Sequence, residues 1–315
     1  ENGLSIINKR ILQLHTSEIV VCISILFCML NSLAAKAEGE AFSAVKGYPP
    51  IEFSGLLELS AEHQIDPQDA EAEDDKVSLA TLELGMHTDL SDTIAADMLL
   101  AYEEDIDSML LDALTVNFTN DIQPQWHATL GKDYLPFGSF ATFQVNDTLG
   151  LELAETNQLF ANAGYHGGHL LSNVYVYENE EGIAGKVGGR LGYHTDVFHI
   201  GIDYIDSLYD SPAYGIHGQW SIQSLTLIAE HLIVDHFKLN ETSHAEQYEI
   251  GYDVNGIVIA VSYQVNDAIK ELELPQEKTS MVMRLPLSKM SLAGIELWKQ
   301  DGLVSFTAQL SITLY

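Results

Sequence analysis

The sequence predicts an all-β fold, a single transmembrane antiparallel β-barrel of about 16 strands, and three observations lead to it. Apolar and polar residues alternate in segment after segment of the chain beyond residue 50. The N-terminal region reads as a secretory signal peptide, and aromatic residues recur near the ends of the alternating segments. A soluble secreted β-sandwich has the same period of two and stays as the alternative architecture.

Composition excludes two broad classes of protein. The 315 residues include 46 Asp and Glu against 14 Lys and Arg, a formal net charge of −32, and 46% are apolar. So few basic residues disfavour nucleic-acid binding, and 14 Tyr with 11 Phe disfavour disorder. The chain has no Gly-rich phosphate loop, no Gly-x-Ser-x-Gly and no His-Glu-x-x-His, so we expect neither a cofactor nor an enzyme.

The chain divides into residues 1–37 as signal peptide, 38–50 as a short lead and 51–315 as barrel. A basic start at Lys9 and Arg10 precedes a 12-residue apolar run over 19–30, which is too short to span a bilayer as a helix. Small residues at Ala35 and Ala37 suit a cleavage site after Ala37. Both cysteines lie in the apolar run, so the mature chain is expected to contain no disulfide.

The clearest strand pair flanks Asn255-Gly256. Residues 246–254 and 257–266 alternate on either side of this dipeptide, and Asn-Gly is typical of a two-residue hairpin because both positions take positive φ. Fourteen further segments carry the same alternation. They are 51–60, 78–88, 93–102, 110–119, 125–132, 158–165, 170–178, 184–194, 197–206, 214–222, 225–234, 279–287, 292–299 and 303–314.

The longest stretch without alternation runs from Asp133 to Asn157, after the fifth strand. In sixteen-strand barrels of this kind, the loop after strand 5 folds into the lumen and narrows it. Pro136 fixes φ and Gly138 permits positive φ, so a rigid turn with Phe137 at its tip is predicted. Packing of the loop's own aromatics as a plug is the alternative to contact with a solute.

This stretch resembles the motif region of the LbtU family of siderophore porins. The similarity covers Gly131-Lys132, Pro136-Phe137-Gly138, Asp147-Thr148-Leu149 and Leu153-Ala154-Glu155-Thr156. The resemblance implies passive, TonB-independent uptake of a small hydrophilic solute, a ferric siderophore, across the outer membrane of a Gram-negative bacterium. The candidate constriction residues are Asp133, Tyr134, Pro136, Phe137, Gly138, Asp147, Glu152 and Glu155.

Alternation also assigns residues to the lumen face. Lys186 and Arg190 form a basic stripe that would face the acidic loop across the pore, although such charges could also merely solvate the lumen. The candidate lumen-lining residues are Glu83, Asp97, His127, Lys186, Arg190, His199, Asp203, His217, Glu249, Asp253 and Arg284.

Several alternatives remain open at this stage. A general cation-selective porin without a preferred solute shares the architecture, and a barrel phospholipase is a remote third hypothesis. The expected partners are outer-membrane lipid, a small solute and, as an open possibility, two further copies in a homotrimer, with no nucleic acid. The twelve histidines show no spacing typical of a metal site, and the acidic segment 66–75 leaves divalent-cation binding open.

Overall fold

The structure is a computed structural model that describes residues 49–65, 73–103, 108–120, 125–179, 182–236, 241–266 and 274–314. The predicted signal peptide and most of the lead therefore lie outside the described residues, as do residues 66–72 of the acidic segment. From Glu52 onward the chain forms one compact unit.

The described residues of this unit form sixteen strands and one short helix, which confirms the predicted number of strands. The strands are β1 (Glu52–Ile65), β2 (Glu73–Ser91), β3 (Ile94–Glu103), β4 (Ser108–Thr119), β5 (Gln125–Tyr134), β6 (Asn157–Gly167), β7 (Leu170–Glu178), β8 (Ala184–His194), β9 (Phe198–Leu208), β10 (Ser211–Ile222), β11 (Leu225–His236), β12 (Glu241–Val254), β13 (Ile257–Asn266), β14 (Glu277–Ser288), β15 (Ser291–Gln300) and β16 (Leu303–Leu314). The helix α1 (Leu149–Ala154) lies between β5 and β6.

The strands form a closed antiparallel barrel in which each pairs with its neighbours in the sequence. Closure occurs between β1 and β16, from Gly55 opposite Leu314 to Ile65 opposite Val304. A closed barrel leaves no strand edge, so every strand can satisfy its backbone hydrogen bonds without water. This is the only way that strands can cross a bilayer.

Connections alternate between the two ends of the barrel. One end, here the short-turn end, carries tight turns such as Asn255-Gly256, where φ is 56° and 88° as the predicted hairpin requires. The opposite end, here the long-loop end, carries the 135–156 connection. Both the start of β1 and the end of β16 lie at the short-turn end, because Gly55 pairs with Leu314.

The outer face of the barrel is apolar and exposed. Val174 is 67% exposed and Trp126 60%, on a surface rich in Val, Leu, Ile and Tyr. A soluble sandwich would bury this face, whereas lipid solvates it. Among the described residues no helix is long and apolar enough to cross a membrane.

Aromatic pairs on the outer face lie towards both ends of the barrel. Near the short-turn end, the ring centroids of Trp126 and Tyr165 are 4.8 Å apart, and towards the long-loop end those of Tyr204 and Tyr214 are 5.4 Å apart. Such aromatic girdles are typical of membrane interfaces. Trp298 departs from the pattern: it pairs with lumen-facing Ser305 and is only 8% exposed.

Candidate functional site: the lumen and its folded loop

Residues 135–156, here the lumen loop, fold against the inner wall of the barrel. Its helix α1 contacts β11, β12 and β13. The Thr148 hydroxyl caps this helix by accepting a hydrogen bond from the Leu151 N–H at 3.1 Å, and Leu149 and Leu153 are buried. The helix is only six residues long, so its stability has to come from packing rather than from its own hydrogen bonds.

Three carboxylates on the wall bind backbone N–H groups of the lumen loop. Glu230 accepts from the N–H groups of residues 139 and 140 at 2.6 and 3.0 Å. Glu249 accepts from the Phe143 N–H at 2.8 Å, and Glu296 from the N–H groups of residues 145 and 146 at 2.8 and 2.9 Å. The carboxylates therefore supply acceptors to five backbone N–H groups between residues 139 and 146, in a segment that has no strand partner.

Three basic side chains of the wall bind the carbonyl groups of the same loop. Arg190 donates to the carbonyl oxygen of residue 138, and Arg284 to that of residue 144. Lys278 donates to the Asp147 carbonyl oxygen at 2.7 Å, and the Gln264 Oε1 atom accepts from the Leu149 N–H at 2.7 Å. Wall carboxylates thus receive loop donors while wall cations bind loop acceptors.

An apolar cluster holds the two ends of the lumen loop. Phe137 is 2% exposed and Leu153 is fully buried, and both pack with wall residues that include Tyr175, Ile205 and Leu232. All three wall residues occupy the inward phase of their strands. The lumen therefore contains a small hydrophobic core between the loop and β6–β12, in addition to its polar contacts.

Three candidate constriction residues do not lie as predicted. Tyr134 is the last residue of β5, on the outward phase, and its hydroxyl donates to Asp112 Oδ1 at 3.1 Å, so it is wall rather than constriction. Asp133 also belongs to β5, opposite Gln158. Phe137 is not presented at a tip, because burial against the wall removes its apolar ring from water and is therefore more favourable.

The lumen loop turns at Pro136 and Gly138, the two residues from which a turn was predicted. Gly138 has φ of 74°, which disfavours any other residue, and it is buried beside the half-buried Pro136. The Gly138 carbonyl then meets Arg190. The turn thus directs the chain towards the wall, where the loop contacts β8.

The three remaining loop candidates, Asp147, Glu152 and Glu155, are all exposed. Desolvation by the surrounding protein, together with the charges of Asp147 and Asp112, raises the pKa of Glu155 to about 6. Desolvation also raises the pKa of Glu152, against the opposing effect of Lys278. The exposed side of the loop is therefore acidic.

A pH titration should reveal the Glu155 carboxylate. Because its pKa is raised to about 6, the group is charged above that pH and takes up a proton below it. We expect any cation preference of the lumen to fall as pH is lowered from about 7.5 to about 5, whereas an unperturbed Glu would remain charged over most of that range. In Glu155→Gln the same titration, measured as the zero-current potential in planar bilayers, should be flatter.

More carboxylates lie on the wall formed by β1–β4. Glu83 lies close enough to Glu58 and Asp112 to interact with both charges. Asp97 accepts hydrogen bonds from His87 Nδ1 at 2.6 Å and from an amide on β4 at 2.7 Å. These carboxylates of β1–β4 add to the acidity of the lumen.

A cavity of about 320 Å³ remains at the short-turn end, lined by loop and wall residues that include Glu58.

The candidate lumen-lining residues all occupy the inward phase of their strands, but several lie under the loop. Glu249 and Arg284 bind the loop directly, and Asp203 and His217 are buried beside Arg190. Glu83, Asp97, His127, Lys186 and His199 are less deeply buried. Asp253 lies at the short-turn end, where its Oδ1 atom accepts from the Gly256 N–H at 2.9 Å.

The predicted basic stripe is wrong in its role. Arg190 lies on the wall against which the loop packs, not across the pore from it. Its Nε atom is 2.6 Å from Asp203 Oδ1, and the other Asp203 oxygen is 2.9 Å from His217 Nδ1. Alternation gives the face of a strand and not what lies opposite, so the sequence could not place Arg190 relative to the loop.

Breaking the Arg190 ion pair should destabilise the barrel. Arg190→Met leaves the fully buried Asp203 side chain without its guanidinium, and we expect a loss of about 3–5 kcal/mol in the free energy of unfolding. Urea unfolding followed by tryptophan fluorescence would measure the loss. Lys186→Met, on the same strand and face but part-exposed, is the matched control and should change little. Equal stability of the two variants would contradict this assignment.

Sequence reasoning missed four of the residues that hold the loop: Glu230, Gln264, Lys278 and Glu296. One signal for Glu230 was available. Glu230 is the lone acidic residue within Leu225–Val234, a segment that is apolar on both faces apart from Thr226 and His231. A carboxylate in such a strand requires a partner when it is buried. The other three sit in ordinary alternation and carry no such signal.

No protein-family model matches the sequence, and no curated protein matches it. Solved structures do match in fold. The outer membrane channel DcaP of Acinetobacter baumannii superposes with a TM-score of 0.61 at 12% identity, over 87% of this chain and 100% of that one. The fold is that of outer-membrane porins.

Two further structures agree. The trimer form of OmpT, an outer membrane protein of Vibrio cholerae, gives a TM-score of 0.62 at 10% identity, over 84% of this chain and 98% of that one. A mutant of the Rh. blastica porin gives 0.60 at 8% identity, over 84% and 100%. At such identities the likeness concerns the fold, and the role of the lumen has to be argued from its own residues.

Proposed function

We propose that this barrel is a passive channel of the Gram-negative outer membrane that admits small hydrophilic solutes and favours cations. The observation that carries the proposal is the way in which the lumen loop is bound. Arg190, Arg284 and Lys278 bind loop carbonyls, whereas Asp147, Glu152 and Glu155 remain exposed. These three basic side chains of the wall are thereby occupied by the loop, while the three carboxylates on the exposed side of the loop remain available to a solute.

The wall of β1–β4 supports the same preference. Glu58, Glu83 and Asp97 add carboxylates to those of the loop. Carboxylates within low-dielectric walls attract cations and repel anions. The geometry thus favours an acidic diffusion path over the opposed acidic and basic walls that the sequence predicted.

Reconstitution tests the channel itself. Purified full-length protein added to planar bilayers should produce stepwise increases in current, and its migration on gels should change on heating as for a folded barrel. Recovery of the protein in the soluble periplasmic fraction, or bilayers that stay silent with heat-modifiable protein, would refute the proposal.

A ferric siderophore is the solute that we propose from the resemblance of the loop to siderophore porins. The acidic path limits which ferric siderophores can pass, because it favours neutral or positively charged chelates over polycarboxylates. Micromolar ferric siderophore should block the current saturably if the lumen binds it. A conductance indifferent to every chelate tested would instead support the alternative, a general cation-selective porin without a specific solute.

We also propose that the channel works without catalysing a reaction and that it associates as a homotrimer. Porins of this fold are channels rather than phospholipases, and the OmpT structure is described as a trimer form. Cross-linking in mild detergent should trap three copies. A product that never exceeds one copy would remove the trimer but leave the channel intact.

A further inference from the structure

Histidines gather on the lumen face at the short-turn end. His166, near the end of β6, and His194, at the end of β8, bring their Nε2 atoms within 3.4 Å of each other. Their ring centroids are 5.1 Å apart, with the planes at 65°. Both rings are half-buried, and neither takes part in binding the lumen loop.

The fold brings these two side chains together across one intervening strand. His194 extends past the start of β7, and its N–H donates to the carbonyl oxygen of His169 in the β6–β7 turn at 2.9 Å. The exposed His169 ring is centred 6.2 Å from that of His194. His199 adds another imidazole, with Nε2 only 3.4 Å from where a Cβ on Gly192 would lie.

The distance between the two Nε2 atoms suits a shared metal ion better than a direct hydrogen bond. Imidazole nitrogens 2.0–2.1 Å from a tetrahedral Zn²⁺ lie about 3.3 Å apart. A hydrogen bond between nitrogen atoms would ordinarily be nearer about 3.0 Å. Neutral imidazole is also the commonest ligand for Zn²⁺ and Cu²⁺.

We propose that His166 and His194 form a binding site for a divalent transition-metal ion at the short-turn end of the lumen. His169, exposed on its turn, supplies the third ligand by rotation of its side chain, and water completes the coordination. In the part of the chain that the structure describes, no three such side chains already surround one point, so the third ligand joins when the ion binds. The acidic lumen concentrates cations near the site.

Zinc titration of the full chain, untagged and with its two cysteines alkylated, tests the proposal. We expect one saturable Zn²⁺ per chain, with dissociation constants raised at least about tenfold in His166→Gln and in His194→Gln. His169→Gln should weaken binding less. His63→Gln, at the long-loop end beside Asp75, is the matched control and should bind as the unchanged protein does.

Unchanged affinity in both His166→Gln and His194→Gln, or no saturable binding below about 1 mM Zn²⁺, would overturn the site. A second measurement needs no variant: Zn²⁺ should protect His166 and His194 from diethylpyrocarbonate while leaving His63 reactive. Equal modification of all three with and without Zn²⁺ would likewise overturn it. Both outcomes are independent of whether the barrel conducts.

Discussion

Replacing Glu249 with alanine is expected to release the middle of the lumen loop and to raise single-channel conductance. The carboxylate accepts hydrogen bonds from the Phe143 N–H, the Thr142 hydroxyl and the side-chain amides of Gln144 and Gln247. Charge-assisted hydrogen bonds contribute about 1.5–3 kcal/mol each, so losing several of them together should detach this part of the loop from the wall. Conductance steps in planar bilayers measure the opening.

Two further variants control this experiment. Glu249→Gln keeps one acceptor oxygen and should give an intermediate conductance, because its amide can replace only part of the carboxylate. Glu246→Ala lies three residues away on the outward phase of β12 and should leave conductance unchanged. A folded Glu249→Ala channel with unaltered conductance would show that the loop does not depend on this carboxylate.

Neutralising the exposed side of the loop is expected to remove most of the preference for cations. In Asp147→Asn/Glu152→Gln/Glu155→Gln the loop keeps its backbone contacts to the wall, since none of the three carboxylates makes them. Each charge close to the path of an ion contributes about 0.5–1 kcal/mol in water, so removing three together should change the cation-to-anion permeability ratio by at least about tenfold.

A triple variant of equal charge serves as control for that change. The control also removes three negative charges, but away from the lumen loop. It combines Asp92→Asn and Asp301→Asn, both in turns between strands, with Glu246→Gln on the outward phase of β12. Its permeability ratio should stay near that of the unchanged protein. If both triple variants lose selectivity equally, the preference comes from overall charge and not from the loop.

The barrel was predictable because lipid and lumen impose a period of two that the chain obeys throughout. Asn255-Gly256 fixed the register of its hairpin. Strand ends were less predictable: β2 begins at Glu73, not near 78, because charged residues can extend a strand beyond the membrane as readily as form a turn.

The interior contacts could not be predicted from alternation. Alternation identifies Glu249 and Arg284 as lumen-facing, but their partners lie more than a hundred residues away in sequence, in a loop without periodicity. The lumen is also not uniformly polar, since Trp298 and Tyr175 face inward. Once a loop packs against the wall, that part of the lumen behaves as a core and selects large apolar side chains.

An acidic lumen that favours cations gives the zero-current potential of the unchanged protein a definite sign, so this potential is the decisive measurement. Across a roughly tenfold KCl gradient, we expect the dilute side to become positive, towards the limit of about 59 mV for a perfectly cation-selective channel. A potential of zero, or a negative dilute side, would contradict it.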